Sequence, residues 1–174
     1  MSKVVGMVVI VILIALFGYF FFSTKQTTPE SSLSKNNTST ETTESSATPM
    51  TDIQASFAIF TNGTFRIFTA AMYHNLSQDV YIDASNPNIV QVKKGGTTWN
   101  DFFSTLPFTL TPECLTTGTK ETFCTGNKGT LQFYINGEKN NNALDQEIKQ
   151  GDKLLVTFGK ESDAKIKQQI DKIP

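Results

Sequence analysis

The chain predicts an α+β fold: a mixed sheet packed on one amphipathic helix, carried behind a membrane span and a linker. Three observations predict it. Val4–Phe22 (VVGMVVIVILIALFGYFFF) holds no charge. Residues 23–52 are about half Ser or Thr. From Ile53 onward, short strand-like runs flank one stretch with helical spacing.

The first segment, residues 1–22, reads as a transmembrane signal anchor. Roughly 20 consecutive apolar residues suffice to cross a bilayer as a helix. A cleavable signal peptide has a shorter apolar run and a small-x-small site. Here the run closes on Phe20-Phe21-Phe22-Ser23-Thr24-Lys25, with bulky side chains where small ones are needed, and no cysteine follows it to make a lipoprotein. Lys3 precedes the span and Lys25 follows it, so the charge bias leans only mildly toward an inside N-terminus. Composition points the same way, since a Ser/Thr-rich tract and a domain with one cysteine pair suit the outside of a cell. The expected placement is a single-pass cell-membrane protein, N-terminus cytoplasmic and C-terminal domain extracytoplasmic. The lipid bilayer is the partner of Val4–Phe22.

Residues 23–52 carry Leu33 and Met50 as almost the only large apolar side chains. Such a stretch cannot bury enough surface to offset its ordering entropy, so it reads as a disordered linker. As a flexible coil of about 30 residues it reaches on the order of 30 Å.

Residues 53–159 read as one extracytoplasmic domain. Ile53–Thr61 alternates, with Ala55, Phe57 and Ile59 on one face. Asn62-Gly63 supplies the two positive-φ positions of a tight hairpin turn, and Thr64–Phe68 returns. A second hairpin joins Val80–Ile82 to Ile89–Val92 across Asn86-Pro87-Asn88. Thr98 and Asp101 then form a capping box. Trp99, Phe102, Phe103 and Leu106 fall at i, i+3, i+4 and i+7, one helical face, and Pro107 ends the helix. A face this aromatic belongs against a sheet, so Trp99, the sole tryptophan, reads as core. Thr130–Ile135 is a strand closed by Asn136-Gly137, and Lys153–Phe158 is the last strand, ending at Gly159. The tail, residues 160–174, spaces Ile166, Ile170 and Ile173 as a weak amphipathic helix that frays or docks.

Strand, strand, helix, strand, strand is the order of a β-grasp domain. Three patterns sharpen the resemblance. Leu131-Gln132-Phe133-Tyr134-Ile135-Asn136-Gly137-Glu138 resembles the F-Y-x-N-G hairpin of ligand-binding β-grasp domains, such as the C-terminal domain of transcobalamin-like proteins. Lys149–Gly159 (KQGDKLLVTFG) resembles the strand that closes such sheets, and Val92–Trp99 (VKKGGTTW) the entry to the clasped helix. Across Ile53–Gly159 the chain is also similar to an uncharacterised membrane-anchored β-grasp-like family (a ubiquitin-like roll) of archaea and small-genome bacteria. Proteins of that family are sometimes labelled protein-disulfide isomerase. Its members tend to carry histidine pairs suited to a transition metal. This chain has only His74, so the resemblance implies no multi-histidine metal site here.

The composition excludes several function classes. From Arg66 onward there are twelve basic and twelve acidic residues, which leaves no basic field for nucleic acid. No Asp-x-Asp-x-Asp loop offers a calcium site. There is no Gly-x-Ser-x-Gly, and Lys93-Lys94-Gly95-Gly96 lacks the Gly-Lys-Ser/Thr of a phosphate loop. No catalytic residue and no cofactor are assigned.

Cys114 and Cys124 flank LTTGTKETF, which can fold as a hairpin loop and bring the two into disulfide range. Redox catalysis favours Cys-x-x-Cys at a helix start, and this spacing differs. The pair therefore reads as a structural staple. The expectation is a binding or assembly module without catalytic activity, whose partner is an extracytoplasmic protein or small ligand. The alternatives are thiol-disulfide exchange through Cys114 and Cys124, and a ligand or metal carrier with a degenerate site around Met72, Tyr73 and His74, with Tyr81 in the same candidate ligand region.

Overall fold

The computed structural model describes residues 50–174. The anchor and nearly all of the linker read from the sequence lie outside the described residues. Among the described residues, no helix is long and apolar enough to cross a membrane.

The described chain is α+β, with a mixed seven-stranded sheet, a separate three-stranded sheet and two helices. The central strand, β1 (Met50–Thr61), begins three residues inside the stretch read as linker. It turns through Asn62 (φ 49°) and Gly63 (φ 75°) into β2 (Thr64–Phe65). Both turn residues need positive φ, which Gly adopts freely and Asn tolerates. The return strand is shorter than the sequence predicts. Arg66 N–H still bonds Ile59's carbonyl at 2.8 Å, but the return bond from Ile59 is not made, and the chain splays away.

β3 (Val80–Tyr81) and β4 (Ile89–Lys94) form the second hairpin, with Val80 opposite Val92 and Tyr81 opposite Gln91. The helix α1 (Trp99–Thr105) carries the predicted capping box. Thr98 Oγ1 accepts from the Asp101 N–H at 3.1 Å, and Asp101 Oδ2 accepts from the Thr98 N–H at 2.8 Å. Beyond it, β5 (Thr109–Leu110), β6 (Cys114–Thr116) and β7 (Thr122–Cys124) make the three-stranded sheet. The main sheet is completed by β8 (Thr130–Ile135), β9 (Glu138–Lys139) and β10 (Lys153–Gly159). Its order is β3-β4-β1-β10-β8-β9, with β2 also on β1. β1 and β10 run parallel, Phe57 opposite Leu154, and every other pairing is antiparallel.

Residues of a strand point alternately to the two faces. Ala55, Phe57, Ile59, Leu154, Val156 and Phe158 face α1, where Trp99, Phe102, Phe103 and Leu106 are all buried. This is the predicted helix face. Phe57 meets the rings of Phe102 and Phe103 edge-on, at 5.2 and 5.8 Å between centroids. Each such fully buried side chain contributes about 1.5–3 kcal/mol.

The expectation of a sheet packed on one helix needs correction. The tail forms α2 (Asp163–Ile170), which covers the opposite face over Ala58, Phe60 and Leu155. The reason is the alternation itself. β1 is buried at every position from Ala55 to Thr61 and apolar at the four consecutive positions Phe57–Phe60, and a strand of that kind is covered on both sides.

Candidate functional site

The splay after Arg66 opens a cleft of about 400 Å³ beside the end of β1. Its floor is Ile59 and Leu115, both buried. One wall is the extended run Phe65–Phe68, with Met72 and Tyr73 above it. The opposite wall is the loop Thr117–Thr119 between β6 and β7. Ile67 is 66% exposed and Met72 54%, so two large apolar side chains stand at the mouth. An isolated exposed apolar residue means little, but two lining one concave apolar cleft make it the candidate site.

Backbone geometry gives the Phe65–Phe68 wall its character. Thr61 and Thr64 are paired across the turn, and Arg66 N–H bonds back to Ile59. The peptide groups of Thr64 and Arg66 therefore face β1, and alternation turns those of Phe65 outward. Ile67 makes no hydrogen bond through its N–H or carbonyl among the described residues. Two unpaired residues spaced as in a strand thus border an apolar trough.

Arg66 joins the two walls. Its Nε donates to Thr61 Oγ1 at 2.6 Å and its Nη2 pairs with Glu121 Oε2 at 3.3 Å. Its guanidinium lies 5.1 Å from the centre of the Phe123 ring. The loop wall is close to its support as well, since a Cβ at Gly118 would stand 3.1 Å from the Pro107 carbonyl oxygen.

Cys114 and Cys124 form the expected disulfide. They are directly opposite on β6 and β7, with Cα atoms 4.1 Å apart. The Thr125 N–H bonds Glu113's carbonyl next to them at 2.9 Å, so they occupy a non-hydrogen-bonded pair, the closer kind. The bridge sits on strands and closes the hairpin whose loop walls the cleft.

Of Tyr73, His74 and Tyr81, only Tyr73 lines this cleft. Tyr73 reaches the cleft, its ring edge-on to Phe68 at 5.2 Å. His74 Nε2 is bonded to the Phe68 carbonyl at 2.8 Å and does not line the cleft. Tyr81 lies on β3 and does not line it either.

The cleft lining holds no carboxylate, imidazole or thiol. Three ionisable groups elsewhere are shifted. Hydrogen bonds, chiefly from the Ser85 hydroxyl, hold Asp83 below the usual carboxylate range. Asp52's carboxylate raises Lys93, and burial raises Tyr134, with Asp163 adding to it. Among the described residues, no group of three or more His, Cys, Asp or Glu is placed to hold a metal ion.

Sequence reasoning named Met72 and Tyr73 but missed Arg66, Ile67 and the Thr117–Thr119 loop. One signal was present. Ile67 and Phe68 are adjacent, so they cannot share a face of one strand, and Phe68 is the one in the core. Comparison of the chain with protein families, with curated proteins and with solved structures finds no match in any of the three.

Proposed function

We propose that this protein is a membrane-anchored extracytoplasmic binding module, without catalytic activity, whose cleft takes an extended apolar polypeptide segment. The observation that carries the reading is the border of the cleft. The outward peptide groups of Phe65 and the unbonded ones of Ile67 stand beside an apolar trough with Ile67 and Met72 at its mouth. Strand addition works in this way: main-chain bonds supply affinity, and pockets for alternate side chains supply selectivity. Arg66 is already engaged by Thr61, Glu121 and Phe123, so the trough favours an uncharged segment.

Placement outside the membrane rests on the uncharged Val4–Phe22 run, the Ser/Thr-rich spacer and the disulfide. A β-grasp-like relationship is supported by the strand order, in which the first and last long strands lie parallel at the centre with α1 between them in the chain.

The test is a peptide array probed with the full chain in detergent micelles. Peptides with alternating apolar residues are expected to bind, and N-methylation of alternate amides is expected to abolish binding in one register only. Ile67→Asp is expected to remove it at least tenfold. Binding indifferent to both N-methylation and Ile67→Asp overturns the reading.

A further inference from the structure

The second face of the sheet raises a different question. α2 has eight residues, too few for a helix to be stable alone in water. It must be held by what it covers, and its contact surface is imperfect. Gln169 is 1% exposed, yet neither its Oε1 nor its Nε2 has a hydrogen-bond partner among the described residues. Thr157 Oγ1 is buried and unpartnered too, and Thr157 shares the α2-facing side of β10 with Leu155. Buried amides and hydroxyls are nearly always paired, because leaving one unpaired forfeits its hydration with no return.

Against this stand few attractive contacts. Ile166 and Ile173 are buried, and Ile170 is only partly so. Lys172 Nζ lies 5.9 Å from the centre of the Phe60 ring. Ser56 Oγ donates to the Pro174 carbonyl at 2.9 Å, and Lys153 Nζ to that of Ile173 at 3.2 Å. Water replaces these last two bonds readily when the tail leaves. The other face differs, since α1 is locked there by a large aromatic cluster and a complete capping box.

We infer that α2 is a displaceable cover: it leaves the sheet as a unit, exposing Ala58, Phe60 and Leu155, while the sheet and α1 stay folded. Undocking returns Gln169 and Thr157 to water, which offsets part of the cost of exposing the isoleucines together with Phe60 and Leu155. The hinge is the short connection Lys160–Ser162, which follows β10 directly.

The inference is independent of the cleft. Thiol reactivity tests it in the full chain held in micelles, because both native cysteines are bonded to each other. Ala58→Cys places a thiol under α2, and Val156→Cys one under α1; both sites are fully buried. In native buffer the thiol at 58 is expected to react with a maleimide at least 100-fold faster than that at 156. Adding Gln169→Met is expected to slow labelling at 58 at least tenfold. Equal rates at the two sites mean that both are reached only by global unfolding, and overturn the inference. So does a rate at 58 that Gln169→Met leaves unchanged. If either cysteine variant fails to fold, hydrogen exchange of the unmodified chain decides. α2 amides exchanging at least 100-fold faster than those of β1 and β10, and slowed by Gln169→Met, support the cover, and matched rates overturn it.

Discussion

Arg66 stacks on Phe123. Its guanidinium carbon lies 5.1 Å from the ring centre, and its Nη2 reaches Glu121 two residues earlier on the same hairpin. This one side chain spans the cleft base, from the splayed end of the edge strand to the disulfide-bearing hairpin. Arg66→Ala is expected to cost about 1 kcal/mol, the size of a partly exposed cation–π contact with a screened ion pair. Arg66→Lys is expected to recover only part of that, because an ammonium cannot stack and bridge at once. Urea denaturation of the three proteins measures both.

The disulfide closes a loop with a sequence separation of 10. The chain-entropy argument gives about 3 kcal/mol for a loop of this length. Replacing both cysteines with alanine is expected to lower stability by that order. It is also expected to raise hydrogen exchange in 114–124 before exchange in β1 and β10 changes. The reason is that Leu115 and Phe123 still anchor the hairpin in the core.

Trp99 is the sole tryptophan and is fully buried. Its emission is expected to be blue-shifted and insensitive to iodide until the domain unfolds. Trp99→Ala is expected to cost about 3–5 kcal/mol. Trp99→Phe is expected to cost much less than its lost volume suggests, because the indole Nε1 has no partner among the described residues and its removal relieves an unpaired donor. Thermal unfolding of the two variants separates these costs.

Asn136 (φ 53°) holds two turns together. Its Nδ2 donates to Asp152 Oδ1 at 2.9 Å, and its Oδ1 accepts from the Lys153 N–H at 2.9 Å. Asn136→Gly keeps the turn conformation and loses both bonds, and is expected to cost about 1–2 kcal/mol. Asn136→Ala adds the steric penalty of a Cβ at positive φ, a further ~1 kcal/mol. Chemical denaturation is expected to rank wild type above Asn136→Gly, and that above Asn136→Ala.

Asp83 caps the 83–86 turn, accepting from the N–H groups of Ser85 and Asn86, each at 2.9 Å, and from the Ser85 hydroxyl at 2.6 Å. Its carboxyl lies below the ordinary 3.8. A lowered folded value means the contribution is present above the unfolded value and lost as pH falls through the folded one. Asp83→Ala is therefore expected to lower the melting temperature at neutral pH and to converge on wild type well below pH 3.8. A melting series across pH for both proteins checks it.

Much of the fold was legible in local sequence. The capping box at Thr98 and Asp101, the four-residue helix face and the Asn-Gly turns at 62 and 136 each rest on neighbours in the chain. The cleft was not legible in the same way. Its walls come from residues about 50 apart, Ile67 and Thr117–Thr119, and no local pattern records that they meet. The second helix was half legible, since the isoleucine spacing was visible but its docking depended on the far face of β1.

By itself, then, the sequence determined the long strands β1, β4, β8 and β10, the helix face, the cysteine pair and the uncharged Val4–Phe22 run, because periodicity, capping and turn chemistry act over a few residues. Only the tertiary structure decided that β1 and β10 lie side by side. It alone set α2 over the second face, splayed the edge strand at Arg66, and so opened a cleft. Those outcomes depend on which distant surfaces exclude water together, and that is a property of the assembled sheet rather than of any segment in it.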